Sequence, residues 1–217
     1  MAAVENAALP AAAAAAGGAV SATHDHGRIG PNAITRVAEA LLDEVGAAAR
    51  TGVFSLAGLD AYLRDPPQQM VDEKEVIGLH EVLRARLSAQ QARRVNRDAG
   101  ARTGAYLLAH RIPRPVQRLL RVLPAPLAAR VLVAAIRRHA WTFAGTAAFS
   151  ARGGRPVAFT LAGCPLCRGA RTAGPCCDFY AACFEHLFRD LVHRHATVRE
   201  TACAAAGDAV CRFDVRW

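Results

Sequence analysis

The spacing of apolar positions changes near His139, from every third or fourth residue before it to every second residue after it. From Pro31 onward, Ile34, Val37, Ala38, Leu41 and Val45 form a helical stripe that Gly46 and Gly52 loosen. Ser55 can cap a short helix through Leu56, Leu59 and Leu63, and Pro66-Pro67 ends it. Val76, Leu79, Leu83 and Leu87 mark a further helix, with His80 beside the stripe, favoured as a core histidine bonded to a backbone carbonyl over an axial ligand. Ser88 and Gln91 have capping-box spacing and predict a helix reaching about Arg111. Residues 114–138 continue the helical spacing, interrupted at Pro124 and Pro126.

Beyond His139, Trp141, Phe143, Gly145, Ala147 and Phe149 alternate with smaller or polar residues. Arg152-Gly153-Gly154-Arg155 turns the chain, and Val157, Phe159 and Leu161 alternate again. Residues 178–195 return to helical spacing, with Phe179, Cys183, Phe184, Leu187, Phe188, Leu191 and Val192 on one stripe and Asp178, Glu185, Arg189, Asp190 and His193 largely opposite. Ala206-Gly207-Asp208 then separates two short runs, the second alternating Cys211, Phe213, Val215 and Trp217 with Arg212, Asp214 and Arg216. The two hairpins predict a four-stranded antiparallel sheet covered by helices, an α+β fold. Residues 1–26, rich in alanine and without a periodic apolar face, are expected to be a mobile tail, and His24-Asp25-His26 a solvated polar run. Residues 27–140 form the helical region, and 27–217 are expected to make one compact unit.

Composition narrows the partners. A 217-residue chain that is 53% hydrophobic can bury a substantial core. The net charge of +9 calls for an anionic partner, and aromatics at 6% offer no stacking platform for single strands, so no nucleic acid is expected. Seven cysteines, odd in number and unevenly placed, do not make a secreted disulfide scaffold and favour a reducing cytoplasm. Residues 114–138 lack an uninterrupted apolar span of about 20 residues and are not a transmembrane helix. Their arginines fit either a basic amphipathic pair on a membrane surface or two core helices with snorkelling side chains.

The chemistry concentrates near the C-terminus, in the pattern Cys177-x22-Glu200-x2-Cys203-x7-Cys211. Cys177 opens the helix at 178–195, where free N–H groups and the helix dipole favour a thiolate. A hairpin symmetric about Gly207 sets Cys203 opposite Cys211 with Cβ atoms roughly 5 Å apart. Two such thiolates suit a tetrahedral zinc, with Glu200 supplying an oxygen. Buried thiols or a cross-strand disulfide are the alternatives. Cys164-Pro165-Leu166-Cys167 can be half of a zinc site or a redox pair. Gly100-xxx-Gly104 lets either a neighbouring helix or a flat ligand approach the backbone.

Cys177-Asp178-Phe179-Tyr180, Val198-Arg199-Glu200-Thr201-Ala202-Cys203, Gly207-Asp208 and Cys211-Arg212-Phe213 together resemble the vinyl-reductase (4VR-type) small-molecule-binding domain. That assigns residues 141–217 to such a ligand-binding domain. Gly27-Arg28-Ile29-Gly30-Pro31-Asn32-Ala33-Ile34-Thr35 resembles the opening of the bacteriochlorophyll 4-vinyl reductase proteins. The resemblance implies the fold shared with the TRAPP vesicle-tethering subunits, an apolar cavity between helices and sheet, and a structural zinc on Cys177, Glu200, Cys203 and Cys211. With every position filled by protein, such a metal has no site for water or substrate.

The family name implies reduction of the 8-vinyl group of a protochlorophyllide or chlorophyllide, but no Gly-x-Gly-x-x-Gly follows a strand and no iron–sulfur spacing stands out. The favoured reading is a protein of bacteriochlorophyll synthesis that binds a magnesium tetrapyrrole and delivers or protects it. A vinyl reductase using an external reductant and a TRAPP-like scaffold are the alternatives. The expected slot lies between Phe143, Phe149, Phe159 and Phe213 and the Gly100/Gly104 helix face. Arg93, Arg97 or Arg102 would meet a propionate, and His110, on the helix face of Tyr106, would reach the magnesium. Pigment-biosynthesis enzymes, a peripheral contact with the photosynthetic membrane and a homodimer are the expected associations.

Overall fold

The structure, a computed structural model, describes residues 27–217; the tail expected over 1–26, with its His24-Asp25-His26, lies outside the described residues. Strand β1 (Arg28–Ile29) pairs antiparallel with β2 (Val71–Asp72), and between them run helices α1 (Asn32–Val45), α2 (Ala47–Leu56) and α3 (Ala61–Arg64). Gly46, at φ 90, breaks α1 from α2 and donates its N–H to the Leu41 and Leu42 carbonyls. Asp72 caps α4 (Glu73–Arg86) by accepting from the Lys74 N–H at 2.8 Å.

The capping box expected at Ser88 and Gln91 is present. The Gln91 N–H donates to Ser88 Oγ at 3.2 Å and the Ser88 N–H to Gln91 Oε1 at 3.1 Å, opening α5 (Ala89–His110). The two prolines divide the next stretch as expected, into α6 (Arg114–Val122) and α7 (Ala125–Arg138). His80 is a core residue, but its Nε2 has no hydrogen-bond partner, so the expected carbonyl contact is absent at that nitrogen. Burial, reinforced by the Arg84 charge, pushes its pKa down to about 3.

The alternation from Trp141 overreaches. Residues Trp141–Ala144 form a short helix, α8, and the strand β3 begins only at Ala148 and ends at Arg152. Gly145, at φ 57, separates them, and a Cβ there would run into the Glu73 carboxylate. Glu73 in turn accepts from the Thr146 N–H at 2.8 Å and from Arg168 Nη1 at 2.8 Å, which fixes the entry to the sheet.

After β3 come β4 (Val157–Ala162), α9 (Asp178–Leu191), β5 (Thr197–Ala202) and β6 (Cys211–Arg216). The four strands make one antiparallel sheet in the order β3-β4-β6-β5. The class is α+β, as expected. Helix α9 lies between this sheet and α5, and is buried on nearly every side. On the sheet side, Phe184 meets Phe159 at 4.6 Å and Phe213 at 5.9 Å between ring centroids. Arg189 stays exposed on the face expected to be polar, whereas the stretch from Asp178 to Glu185 is covered by α5. Glu185 stays buried because it accepts from the Val198 N–H at 2.9 Å and pairs with Arg189 at 3.1 Å and Arg97 at 3.4 Å. One continuous core runs from Ile29 to Val215.

Candidate metal centre

Four segments converge at the end of the sheet nearest the start of α9. Cys177 is the residue before α9, Glu200 lies on β5, Cys203 follows that strand and Cys211 opens β6. In a regular strand, Glu200 and Cys203 would face opposite ways, because residues three apart alternate. The pairing of β5 with β6 shifts between Glu200 and Ala202, and this bulge turns both toward the inner face that carries Cys211 and Phe213. The Glu-x2-Cys spacing therefore works only through the extra residue. The turn between the strands is held by Gly207 at φ 103 and by Asp208, whose carboxylate accepts from the Cys203 N–H at 2.8 Å.

The four expected donors come together. Cys203 Sγ is 3.9 Å from Cys211 Sγ, which is 3.8 Å from Cys177 Sγ, and the donor atoms of the set lie within 4.8 Å of one another. Glu200 Oε2 accepts the Cys177 N–H at 2.7 Å, whereas Oε1 is buried with no partner. An orphaned buried carboxylate oxygen beside three buried thiols is the condition a divalent cation relieves, so these residues fit a zinc-class ion. Burial, then the adjacent Cys203, raises the Glu200 pKa to about 8 against the opposing Cys177 N–H. Contact with the Cys164 sulfur, followed by the other cluster sulfurs and burial, raises Cys177 well above the ordinary thiol value. Those effects outweigh the helix-dipole lowering expected there, and a cation would reverse the balance by binding the thiolates.

Sequence spacing alone assigns no single role to Cys164 and Cys167, yet the structure adds them to the same cluster. Cys164 Sγ is 3.6 Å from Cys177 Sγ, and Cys167 Sγ is 3.4 Å from Cys211 Sγ. Their turn is pinned from outside, with Arg168 Nη2 on the Gly163 carbonyl at 2.7 Å and Arg84 Nη1 on the Leu166 carbonyl at 2.6 Å. The Cys-x2-Cys was the available signal, but nothing local shows that the turn folds over β6.

The candidate ligand residues are dispersed. Gly100 and Gly104 face α9, where a Cβ on Gly100 would overlap the Phe179 carbonyl oxygen and one on Gly104 would come 2.7 Å from His186 Cβ, the helix-packing reading of that pair. Phe159 and Phe213 are fully buried, and Phe143 contacts Phe149 at 5.3 Å, so the four aromatics pack with one another and with α9. Arg97 is tied to Glu185 and Arg93 lies 3.7 Å from Asp178. Arg102 pairs with Asp43 at 2.5 Å and Asp98 at 2.8 Å. It lines a cleft of about 500 Å³ with Tyr62, Tyr106, Arg36 and Arg50. His110 sits beside that cleft, its ring 4.7 Å from that of Tyr106.

Comparison with known proteins matches the V4R domain to residues 157–217, from the first residue of β4 to the end of the chain. A protein of Cereibacter sphaeroides called bacteriochlorophyll synthase 23 kDa chain is 44% identical over 188 residues, which cover 87% of this chain and 90% of that one. A second protein of that name, from Rhodobacter capsulatus, is 38% identical over 197 residues, 91% of each chain. The chain belongs to the bacteriochlorophyll synthase 23 kDa chain family. The V4R segment of this family member holds all six clustered donors, while α1 to α8, including the cleft at Arg102, lie ahead of it.

Proposed function

We propose that the chain serves bacteriochlorophyll biosynthesis by binding a magnesium tetrapyrrole carboxylate in the cleft between α1, α5 and residues 62–68, with the cysteine centre holding structural zinc. The relatives' shared name supports the pathway. The observation that carries the binding site is Arg50, whose buried Nε has no hydrogen-bond partner and which lines a cleft of about 500 Å³. That volume lies in the ordinary range for ligand pockets. Tyr62 and Tyr106 offer flat walls for a macrocycle, and the Arg36 guanidinium already lies 5.1 Å above the Tyr106 ring. Arg102 is committed to Asp43 and Asp98, which makes Arg50 the better partner for a ligand carboxylate. His110 can approach the magnesium from the cleft edge.

Helices α6 and α7 fit the same role from outside. Val116, Leu119, Val122, Leu127 and Val131 are exposed among Arg114, Arg118, Arg130, Arg137 and Arg138, and residues 99–177 contain no aspartate or glutamate. Among the described residues no helix is long and apolar enough to cross a membrane. An apolar face ringed by arginines suits the surface of an anionic bilayer, where an amphiphilic pigment intermediate would be collected or released.

The test is an absorbance titration of the full chain with a magnesium tetrapyrrole carrying a free propionate. Saturable binding should shift the Soret band. Arg50→Ala should weaken affinity about tenfold or more, as for loss of a charged hydrogen bond, and His110→Ala should alter the band shift. No spectral change at high protein concentration would remove the reading. Loss of the vinyl group with purified protein and a reduced nicotinamide would make the protein a reductase.

A further inference from the structure

The five buried cysteines and half-buried Glu200 form two overlapping sets of four: Cys164, Cys167, Cys177 and Cys211, and Cys177, Glu200, Cys203 and Cys211. In each set all donor atoms lie within 4.8 Å of one another. One tetrahedral ion can use only four of the six. The sets share two sulfurs, Cys177 and Cys211, 3.8 Å apart. Zn–S bonds of about 2.3 Å directed to tetrahedral corners require sulfur–sulfur edges of roughly 3.8 Å. The contacts of Cys164 with Cys177 at 3.6 Å, Cys167 with Cys211 at 3.4 Å and Cys203 with Cys211 at 3.9 Å are edges of the same size.

Neutral thiols are weak donors and weak acceptors, so hydrogen bonding alone gives little reason for six groups from four segments to converge. The convergence draws on two separate pieces of chain. On one, the Cys-x2-Cys turn brings two sulfurs over the shared pair, its backbone anchored by Arg84 and Arg168. On the other, the β5 bulge brings the Glu200 oxygen and the Cys203 sulfur to the same pair. The Ala204 N–H points at Cys211 Sγ from 3.4 Å, a donor suited to a sulfur carrying negative charge. Cys176, half-buried and 3.9 Å from Cys203, lines a cleft of about 560 Å³ beside the cluster.

We infer that the centre is binuclear: two thiophilic divalent ions of the zinc class, one on Cys164 and Cys167, the other on Glu200 and Cys203, with the thiolates of Cys177 and Cys211 bridging both. A thiolate has enough lone pairs to bind two cations, and the shared edge completes both tetrahedra without a ligand from water. The second ion ties the Cys-x2-Cys turn to β6 and closes the sheet end against α9. The inference rests on the metal reading of the Glu200 set given above and adds a second ion to it.

Elemental analysis and native mass spectrometry of the full chain, purified with zinc and without chelator, should give two zinc ions per chain. Cadmium-113 exchanged into the protein should give two resonances, each in a sulfur-rich range. Cys164→Ser/Cys167→Ser should drop to one ion and keep its folded circular dichroism, because the Glu200 set remains. If that variant fails to fold, the wild-type stoichiometry and the two resonances still decide. A single ion in the wild type, retained in the Cys164→Ser/Cys167→Ser variant, overturns the binuclear centre and leaves the Glu200 site standing. A single ion that survives Glu200→Gln/Cys203→Ser but not Cys164→Ser/Cys167→Ser overturns both. So does a metal-free folded chain, or iron with acid-labile sulfide.

Discussion

At the sheet end near α9, five buried cysteines and half-buried Glu200 come together from separate segments, whereas α6 and α7 follow one another directly and leave Val122 80% exposed among arginines. Each region presents groups that its own protein surroundings do not satisfy. Thiols and a carboxylate cluster without a countercharge in the first, and aliphatic side chains stand in water in the second. On the proposed reading, ions would complete the first from within and a lipid surface the second from outside. Substitutions in the cysteine region should therefore act on folding, and substitutions on α6 and α7 on association.

The largest effect is expected at Cys211, whose sulfur lies within 3.9 Å of the sulfurs of Cys167, Cys177 and Cys203. Cys211→Ser should lose the metal and unfold the sheet half, since structural zinc is worth about 10–16 kcal/mol in small metal-dependent domains. Prolonged treatment of the wild type with a strong chelator should lower its melting temperature in the same way. Melting followed by circular dichroism, with metal content measured on the same samples, decides this. A Cys211→Ser protein that melts with the wild type would show that the aromatic core holds the sheet unaided.

Next comes the α5–α9 contact. Gly100→Ala places a methyl on the Phe179 carbonyl oxygen, and neither backbone can yield without separating the helices. A loss of about 1–3 kcal/mol is expected from such overpacking. Gly104→Ala should cost less only because its overlap is smaller, its methyl coming 2.7 Å from His186 Cβ, an atom the backbone fixes, against the closer approach to the Phe179 oxygen for Gly100→Ala. Urea titrations of both variants measure the difference. An unchanged midpoint for Gly100→Ala would mean that the helices are not in close contact there.

These two sites also show what the sequence could and could not reveal. Ser88 with Gln91, the prolines at 124 and 126, and Gly207 with Asp208 act through bonds to near neighbours, so their elements were legible locally. The alternation at Trp141 and Phe143 misled because period two records side-chain character, whereas Gly145 and the Glu73 carboxylate decide the backbone path. The charged side of α9 looked solvated because its partners Arg97 and Val198 are remote in the chain. Four of the clustered donors were legible from their spacing. Cys164 and Cys167 were not, since their partnership depends on how a turn folds across β6. Arg50 carried no motif at all, and its interest comes from a nitrogen that folding leaves unpartnered.

A smaller effect separates the buried interior from the metal by pH. His80 has a folded pKa of about 3, below the unfolded value near 6.5, so the unfolded chain binds the extra proton first as pH falls. The neutral histidine's stability is complete above pH 6.5 and is lost progressively from there toward pH 3. Between pH 7.5 and 5.5 this removes about 1.4 kcal/mol from the wild type. His80→Leu should lack that share of the slope, whatever its stability at neutral pH. Parallel pH slopes for the two proteins would place the acid sensitivity elsewhere, for instance in protonation of the cysteine ligands.

The smallest effect on stability should accompany the clearest effect on association. Leu119 is 54% exposed and Val122 80%, so Leu119→Ser/Val122→Ser removes little buried area and should change stability by about 0.5 kcal/mol or less. On a bilayer the same side chains would enter the interface, where burying a leucine or valine is worth about 1.5–3 kcal/mol. The wild type should co-sediment with vesicles rich in phosphatidylglycerol, and the double variant should do so at least tenfold more weakly. Raising the salt should weaken wild-type binding, because the surrounding arginines contribute through screened charge. Phosphatidylcholine vesicles should bind little of either protein. Equal sedimentation of variant and wild type would show that arginines alone hold the chain to lipid. No sedimentation of the wild type at low salt would leave the apolar face of α6 and α7 for a protein partner, and the contrast with the cysteine region would then be between an ion and a subunit.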